Sequence, residues 1–214
     1  MNRHTIELKQ KKKQLFCLFL VLNFAYNPFL LSVQSASHEV GKNEEKNQEK
    51  WATRLEYARL LSYMKQYDES ALQYQLLIKE KPDDLVSQKE LAKVYYYMKD
   101  YPSAIALMKR IPKEKLNPED EIILADVYAA EGQFQEAEEL YKKNLTTIAK
   151  QEDGVMLKLA EVLSWQKRFG PSLGYYKILI EKYPTDIQLR RKYAMVLYWC
   201  GDDQEAAKEL QKTL

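Results

Sequence analysis

Apolar and polar residues follow a repeating order from Trp51 onward, with the spacing of paired α-helices. The stretches AEVLSWQKRF, which begins at Ala160, and AMVLYWCGDD, which begins at Ala194, each carry an alanine, an aliphatic pair and a tryptophan five residues after the alanine. The two stretches lie 34 residues apart. A fixed period of this length is typical of stacked helical repeats, so the pattern predicts a solenoid of helix pairs.

Two small residues recur in every copy of the pattern. The first follows a tyrosine or a leucine at intervals of 34, 33, 35 and 34 residues, and the second lies twelve residues later. Small side chains are what two antiparallel helices need where their backbones approach closely. The first small residues are Ala58, Ala92, Ala125, Ala160 and Ala194, and the second are Ser70, Ala104, Ala137, Ser172 and Ala206.

Large apolar residues at helical spacing complete each unit, so the register predicts five helical hairpins in an all-α fold. Asn117 before Pro118, and Asp186, are typical of residues that cap the start of a helix. The second unit departs from the pattern, because Pro112 comes early and the chain continues through KEKLN. The predicted units are 51–84, 85–117, 118–152, 153–186 and 187–214.

Residues 51–214 resemble the tetratricopeptide repeat family. The resemblance is carried by the small residues with their aromatic or leucine neighbours, by Gly132 and Gly201 in the turns between helices, and by closing prolines such as Pro82 and Pro184. It implies a right-handed superhelical solenoid of antiparallel helix pairs. It also implies a concave groove, lined by the first helix of each pair, that binds other proteins.

The resemblance places the groove at fixed offsets from the first small residue of each unit. Charge along these positions is basic in units one and two, acidic in units three and four, and mixed in unit five. Such a surface favours an extended peptide or a partner helix over a uniform polyanion. The expected groove residues are Arg59, Lys89, Lys93, Tyr96, Asp126, Glu161, Arg191, Met195 and Tyr198.

Aromatic side chains occupy one further position in four of the five units, namely Tyr63, Tyr97, Trp165 and Trp199. Large amphipathic rings suit a half-buried seam between repeats, and packing is the favoured interpretation. The alternative is an aromatic platform for sugar rings at Trp165 and Trp199. The last two units are also similar to the periplasmic repeats of bacterial exopolysaccharide export proteins, so an accessory role in polysaccharide synthesis or export is the second functional hypothesis.

Candidate catalytic and metal-binding groups are scarce in the repeats. The two histidines, His4 and His38, both precede the repeats, which leaves no imidazole there for a base or a metal ligand. Cys200 has no second cysteine at CxxC spacing and is interpreted as a packing residue. No glycine loop that would cradle a phosphate is present. We therefore expect no enzymatic activity, no cofactor and no metal.

The net charge of +2 comes from the amino-terminal end. Residues 36–214 carry 28 basic and 30 acidic side chains, so the repeats lack the excess of positive charge that a nucleic-acid-binding protein needs. Nucleic acid is therefore not an expected partner.

Residues 1–37 have the order of an export signal: a basic stretch ending in KKK, an apolar run and the small residues of SVQSAS. Asn23, Asn27 and Pro28 interrupt the apolar run, which favours a cleaved signal over a retained membrane anchor. We predict an exported, periplasmic protein, with membrane anchoring as the alternative. The polar residues 38–50 are predicted to be a flexible tether.

The end of the chain lies within the fifth predicted hairpin, with no polar helix after it to cover the last apolar face. Terminal repeats normally need such a cap for solubility. We expect a partner, or a second copy in a homo-oligomer, to cover Leu210 and Leu214.

Overall fold

The structure is a computed structural model that describes residues 28–145, 147 and 152–214. All regular structure in these residues is helical, with ten α-helices, one 3₁₀ helix and no strand. The predicted all-α solenoid of helix pairs is confirmed. The chain divides between Thr53 and Arg54 into two compact units.

The helices alternate between the first and the second member of successive hairpins. The first helices are α1 (Pro28–Tyr63), α3 (Leu85–Met98), α5 (Pro118–Ala130), α7 (Glu152–Trp165) and α9 (Ile187–Trp199), and the second helices are α2 (Tyr67–Glu80), α4 (Tyr101–Met108), α6 (Phe134–Asn144), α8 (Phe169–Lys182) and α10 (Asp203–Gln211).

Helix α1 is 36 residues long and includes residues 38–50, where the sequence predicted a flexible tether. Glutamate, lysine and glutamine in this stretch are good helix formers, so the segment is helical without an apolar stripe. Just after this stretch, the Thr53 hydroxyl donates to the Glu49 carbonyl at 2.9 Å. Of the predicted signal, residues 1–27 lie outside the described residues. Within the described part of the chain, no helix has both the length and the apolar character needed to cross a membrane.

All ten small residues of the sequence pattern are buried where the two helices of a hairpin approach each other. In two hairpins the second small residue is a serine that also bonds across the contact. The Ser70 hydroxyl donates to the Ala58 carbonyl at 2.8 Å, and the Ser172 hydroxyl donates to the Ala160 carbonyl at 2.7 Å. The small residues therefore let the backbones come close, as the register predicted.

The turns inside the five hairpins share one backbone conformation. In each turn, one residue lies in the left-handed region, with φ of 59° to 90°. Glycine adopts this conformation without the steric cost that other residues incur. The five residues are Lys65, Lys99, Gly132, Lys167 and Gly201.

Helix α4 is the shortest second helix, with 8 residues against 14 in α2. It ends at Met108, four residues before Pro112, because proline lacks an N–H to donate and disfavours helix in the residue before it. The chain then turns inward at Ile111, which is buried, and passes through the 3₁₀ helix Lys113–Lys115 before α5. The early proline therefore shortens one helix and leaves the repeat order unchanged.

Candidate binding surface

The first helices carry a series of ion pairs that link each unit to the next. Between α1 and α3, the Arg59 guanidinium donates from Nε to both carboxylate oxygens of Glu90, at 3.0 and 2.9 Å, and from Nη2 at 2.6 Å. The Tyr74 hydroxyl donates to the same carboxylate at 2.6 Å. The hydrogen bond to Glu90 raises the pKa of Arg59, while burial first and then Glu90 raise the pKa of Tyr74.

The second link joins two lysines of α3 to a fully buried carboxylate of α5. Lys89 and Lys93 each place Nζ 2.9 Å from an oxygen of Asp120. Burial acts to raise the pKa of Asp120, but the two ammonium groups and the backbone N–H of Asn117 outweigh it and lower the pKa. Asp120 also completes the capping box of α5 with Asn117, so one side chain both caps a helix and pairs with two lysines.

In the third and fourth links the acidic residue belongs to the earlier unit and the basic residue to the later one, which is the reverse of the first two links. Asp126 on α5 accepts from Lys158 on α7 at 2.6 Å, from the Tyr141 hydroxyl at 2.6 Å and from the Tyr96 hydroxyl at 3.2 Å. Burial, followed by the Asp126 carboxylate, raises the pKa of Tyr96 to about 12. Glu161 on α7 then pairs with a lysine of α9.

A simple offset connects three of these links. The residue directly after the first small residue of one unit pairs with the residue two before the first small residue of the next unit. The second and third units break the offset, because Ile123 occupies the partner position and Lys93 turns to Asp120 instead. The pairs that obey the offset are Arg59–Glu90, Asp126–Lys158 and Glu161–Lys192.

Five of the predicted groove residues, namely Arg59, Lys89, Lys93, Asp126 and Glu161, are therefore occupied in ion pairs between units. The sequence analysis missed their partners Glu90, Asp120, Lys158 and Lys192, although the opposite charges at a fixed offset were a signal that could have found three of these four.

The predicted groove residues of unit five lie outside the ion pairs that link the units. Arg191, Met195 and Tyr198 are all exposed on α9. Arg191 has no ion-pair partner within the described part of the chain. Its guanidinium is therefore available to an anionic group of a ligand without the loss of an existing pair.

A pocket of about 300 Å³ between α7 and α9 brings several predicted residues together. Trp165 and Trp199 line it with Arg191 and Met195, and Glu161 contributes to the same lining. Tyr198 is not among its lining residues, although it is close in sequence. The pocket thus combines two indole rings, a thioether and an unpaired cation.

Trp165 packs against the preceding hairpin, and Trp199 lines the pocket between α7 and α9. The Trp165 ring packs on Phe134 of the preceding hairpin, with ring centres 5.5 Å apart. Tyr97 stacks on Tyr67 at 5.6 Å in the corresponding place between units one and two. Trp165 and Trp199 still expose 47% and 48% of their surface, so packing leaves part of each ring open to a ligand.

A second, smaller pocket of about 260 Å³ lies between α1 and α3 and brings Arg59 and Lys93 together. Glu90 and Tyr74, which bind Arg59, also line it. No group of three His, Cys, Asp or Glu side chains in the described residues is arranged to bind a metal ion. The absence of enzymatic activity and of cofactors stays a prediction.

Comparison with known proteins agrees with this architecture. Residues 30–164 match a family model described as a tetratricopeptide repeat-like domain, and residues 155–186 match a tetratricopeptide repeat model. No curated protein matches the chain in sequence.

Solved structures share the fold at low sequence identity. A crystal structure of MamA protein is 17% identical, with a TM-score of 0.66 over 77% of this chain and 90% of that one. YrrB, described as a TPR protein with an unusual peptide-binding site, is 14% identical, with a TM-score of 0.67 over 80% and 89%. A putative kinesin light chain of Podosopora anserina with TPR-like repeats is 19% identical, with a TM-score of 0.62 over 77% and 93%.

Proposed function

Since the chain belongs to the tetratricopeptide repeat family, we propose that it is a protein-interaction scaffold that binds an extended peptide or a helix along its first helices. The observation that carries the proposal is the pocket between α7 and α9, which Trp165, Trp199 and Met195 line together with Arg191, a residue with no ion pair in the described part of the chain. Exposed aromatic rings, methionine and arginine are the side chains enriched at protein interfaces. YrrB, which shares the fold, is described as having a peptide-binding site.

The rest of the first-helix surface is less available. A ligand that used Arg59, Asp126 or Glu161 would have to break an existing ion pair, and the partner left behind would be unsatisfied. A ligand that reaches Arg191 meets no such cost. We therefore place the main contacts of the partner on units four and five.

Site-specific photo-crosslinking of the full chain in its own cells tests this proposal. A photoreactive residue at Met195 or Tyr198 is expected to capture one specific protein. The same residue at Lys177, an exposed position on α8 that does not line the pocket, is the matched control. Crosslinks that form equally at Lys177, or none at Met195 and Tyr198, would contradict the proposal.

The second candidate function is an accessory role in polysaccharide synthesis or export. It is favoured by the open part of the Trp165 and Trp199 rings in one pocket, since indole faces also pack against sugar rings. Intrinsic fluorescence during titration with oligosaccharides measures this directly. A saturable shift that disappears in Trp199→Leu supports sugar binding, and unchanged emission removes this function.

We also propose that the protein is exported to the periplasm, because residues 1–37 contain a basic stretch, then an apolar run and then small residues, which is the order of an export signal. Cell fractionation with a reporter fused after residue 50 tests the location, and amino-terminal sequencing of the recovered protein separates a cleaved signal from an anchor. Recovery of the uncleaved fusion in the cytoplasm would contradict export.

Self-association through the last hairpin is a further prediction, motivated by the exposed Leu210 and Leu214. Sedimentation of the wild type and of Leu210→Glu at the same concentration tests it.

A further inference from the structure

A cleft of about 450 Å³ lies between the second helices α2 and α4, on residues that the proposed function does not use. It exists where α4 is short: α2 continues for 14 residues, whereas α4 ends after 8. The carboxyl-terminal part of α2, at Ile78 and Lys79, therefore faces open space beside the end of α4. A volume of this size lies in the range of ligand pockets, which is about 300–1,000 Å³.

The floor of the cleft is apolar. Leu91 of α3 and Leu107 of α4 are buried beneath it, and Ile78 is half-buried at its side. The Tyr95 hydroxyl on the wall accepts from the Gln75 amide at 2.9 Å, so this phenol is already oriented. Apolar side chains of a ligand would remove this floor from water, which is the main favourable contribution to association.

The rim of the cleft is basic. Lys79 and Arg110 line it, and neither has an ion-pair partner within the described residues. No aspartate or glutamate is among the residues that line the cleft. This rim contrasts with the groove positions Arg59, Asp126 and Glu161 on the first helices, which are paired, and its unbalanced positive charge is complementary to an acidic ligand.

We propose that this cleft is a second docking site, which takes a peptide segment of a partner protein that carries acidic residues beside one or two large apolar side chains. The apolar side chains enter over Leu91 and Leu107, and the carboxylates pair with Lys79 and Arg110. A peptide fits better than an enclosed small molecule because Ala106, Lys79 and Arg110 are exposed, which leaves the cleft open along its length. The site shares no residue with the pocket between α7 and α9, so a scaffold that uses both could hold two partners.

Selection from a displayed library of random peptides on the full-length protein tests the proposal. Individual peptides are then measured by fluorescence anisotropy against the wild type, Lys79→Glu/Arg110→Glu and Lys177→Glu. The last variant reverses an exposed lysine on α8 that has no ion pair with the described residues and does not line the cleft, and it is the matched control. Circular dichroism of each variant confirms that it is folded.

We expect one class of selected peptides to contain aspartate or glutamate close to leucine, isoleucine, phenylalanine or methionine. Reversal of both rim charges should weaken the affinity of this class by about tenfold or more, since two attractive contacts become repulsive. The control should leave its affinity unchanged. The proposal is overturned if no peptide is selected, if every selected peptide binds the double variant as it binds the wild type, or if the sensitive peptides lack acidic residues.

These outcomes are independent of the proposed function. Peptides that bind between α7 and α9 are expected to lose affinity with Arg191→Glu and to bind Lys79→Glu/Arg110→Glu normally. Loss of either class alone therefore identifies which of the two sites has failed.

Discussion

The turn residues with left-handed backbone conformation give a prediction that separates the effect of backbone geometry from the effect of removing a side chain. Lys99 ends α3 with φ of 62° and ψ of 21°, and Gly132 occupies the equivalent place after α5 with φ of 73°. We expect Lys99→Gly to stabilise the protein and Gly132→Ala to destabilise it. Apart from Gly132 and its two chain neighbours, no residue has an atom within 4 Å of a methyl group built on Gly132, so that substitution tests backbone strain without a clash with the rest of the fold.

The magnitude follows from two opposing contributions. A residue with a side chain costs about 1–2 kcal/mol in the left-handed region, because its Cβ crowds the following carbonyl oxygen. Glycine avoids this cost, but it offsets about 0.5–1 kcal/mol of the gain, since it loses more conformational freedom on folding. The net effect is a gain of about 0.5–1 kcal/mol in the free energy of unfolding for Lys99→Gly and a loss of similar size for Gly132→Ala.

Urea unfolding of the full chain, followed by far-ultraviolet circular dichroism, measures both effects as shifts of the midpoint at constant slope. Lys177→Gly makes the same chemical change in the interior of α8, where φ is helical, and should lose about 1 kcal/mol. The reasoning is refuted if Lys99→Gly destabilises the protein as much as Lys177→Gly does.

Three further substitutions test the buried polar groups. Asp120→Asn should lower the free energy of unfolding by about 1–3 kcal/mol at neutral pH, because it leaves two ammonium groups without their carboxylate. Since the folded pKa of Asp120 is lowered, its contribution is present above the unfolded pKa of about 3.9 and is lost as the pH falls through the folded value, so this variant should show a weaker acid dependence in urea titrations below about pH 4. Asn144→Ala removes a buried amide that donates to Glu121 at 2.9 Å, and thermal unfolding should show a loss of about 1–3 kcal/mol, whereas a neutral result would indicate that water replaces the amide. Ser172→Ala should cost no more than about 1 kcal/mol in the same assay, because alanine fills this position in three of the five units and the lost hydrogen bond is a single neutral one.

The fold was predictable from the sequence because its determinants are local and repeated five times. The small residues identify the close contacts between helices, and each of them is buried. Pro112 identified the irregular unit as well. The path of the chain after α4 was not predictable, because it depends on how Ile111 packs once the helix has ended.

The sequence predicted which helices carry the expected groove residues, but not which of these side chains are already paired within the chain. The nine residues that the family offsets select all lie on first helices, yet the offsets treat each residue as free to meet a ligand. Whether Arg59 or Glu161 is free depends on a side chain about 30 residues away, on the neighbouring helix. Arg191 differs in having no such partner within the described residues. The family offsets carry no information about these partners.

The ion pairs between units explain where a partner can bind more than how stable the protein is. Pairs such as Arg59–Glu90 are partly exposed, so each contributes less than about 1 kcal/mol to stability. Their geometry nevertheless commits Arg59, Asp126 and Glu161 to contacts within the chain, and a ligand would have to displace those contacts before it gained its own. Arg191 in the pocket between α7 and α9, and Arg110 after the end of the short helix α4, have no such ion pair within the described residues. Binding is therefore expected to cost least where a basic side chain lies outside the pairs between units, as at Arg191, and where the repeat departs from its usual helix length, as at Arg110.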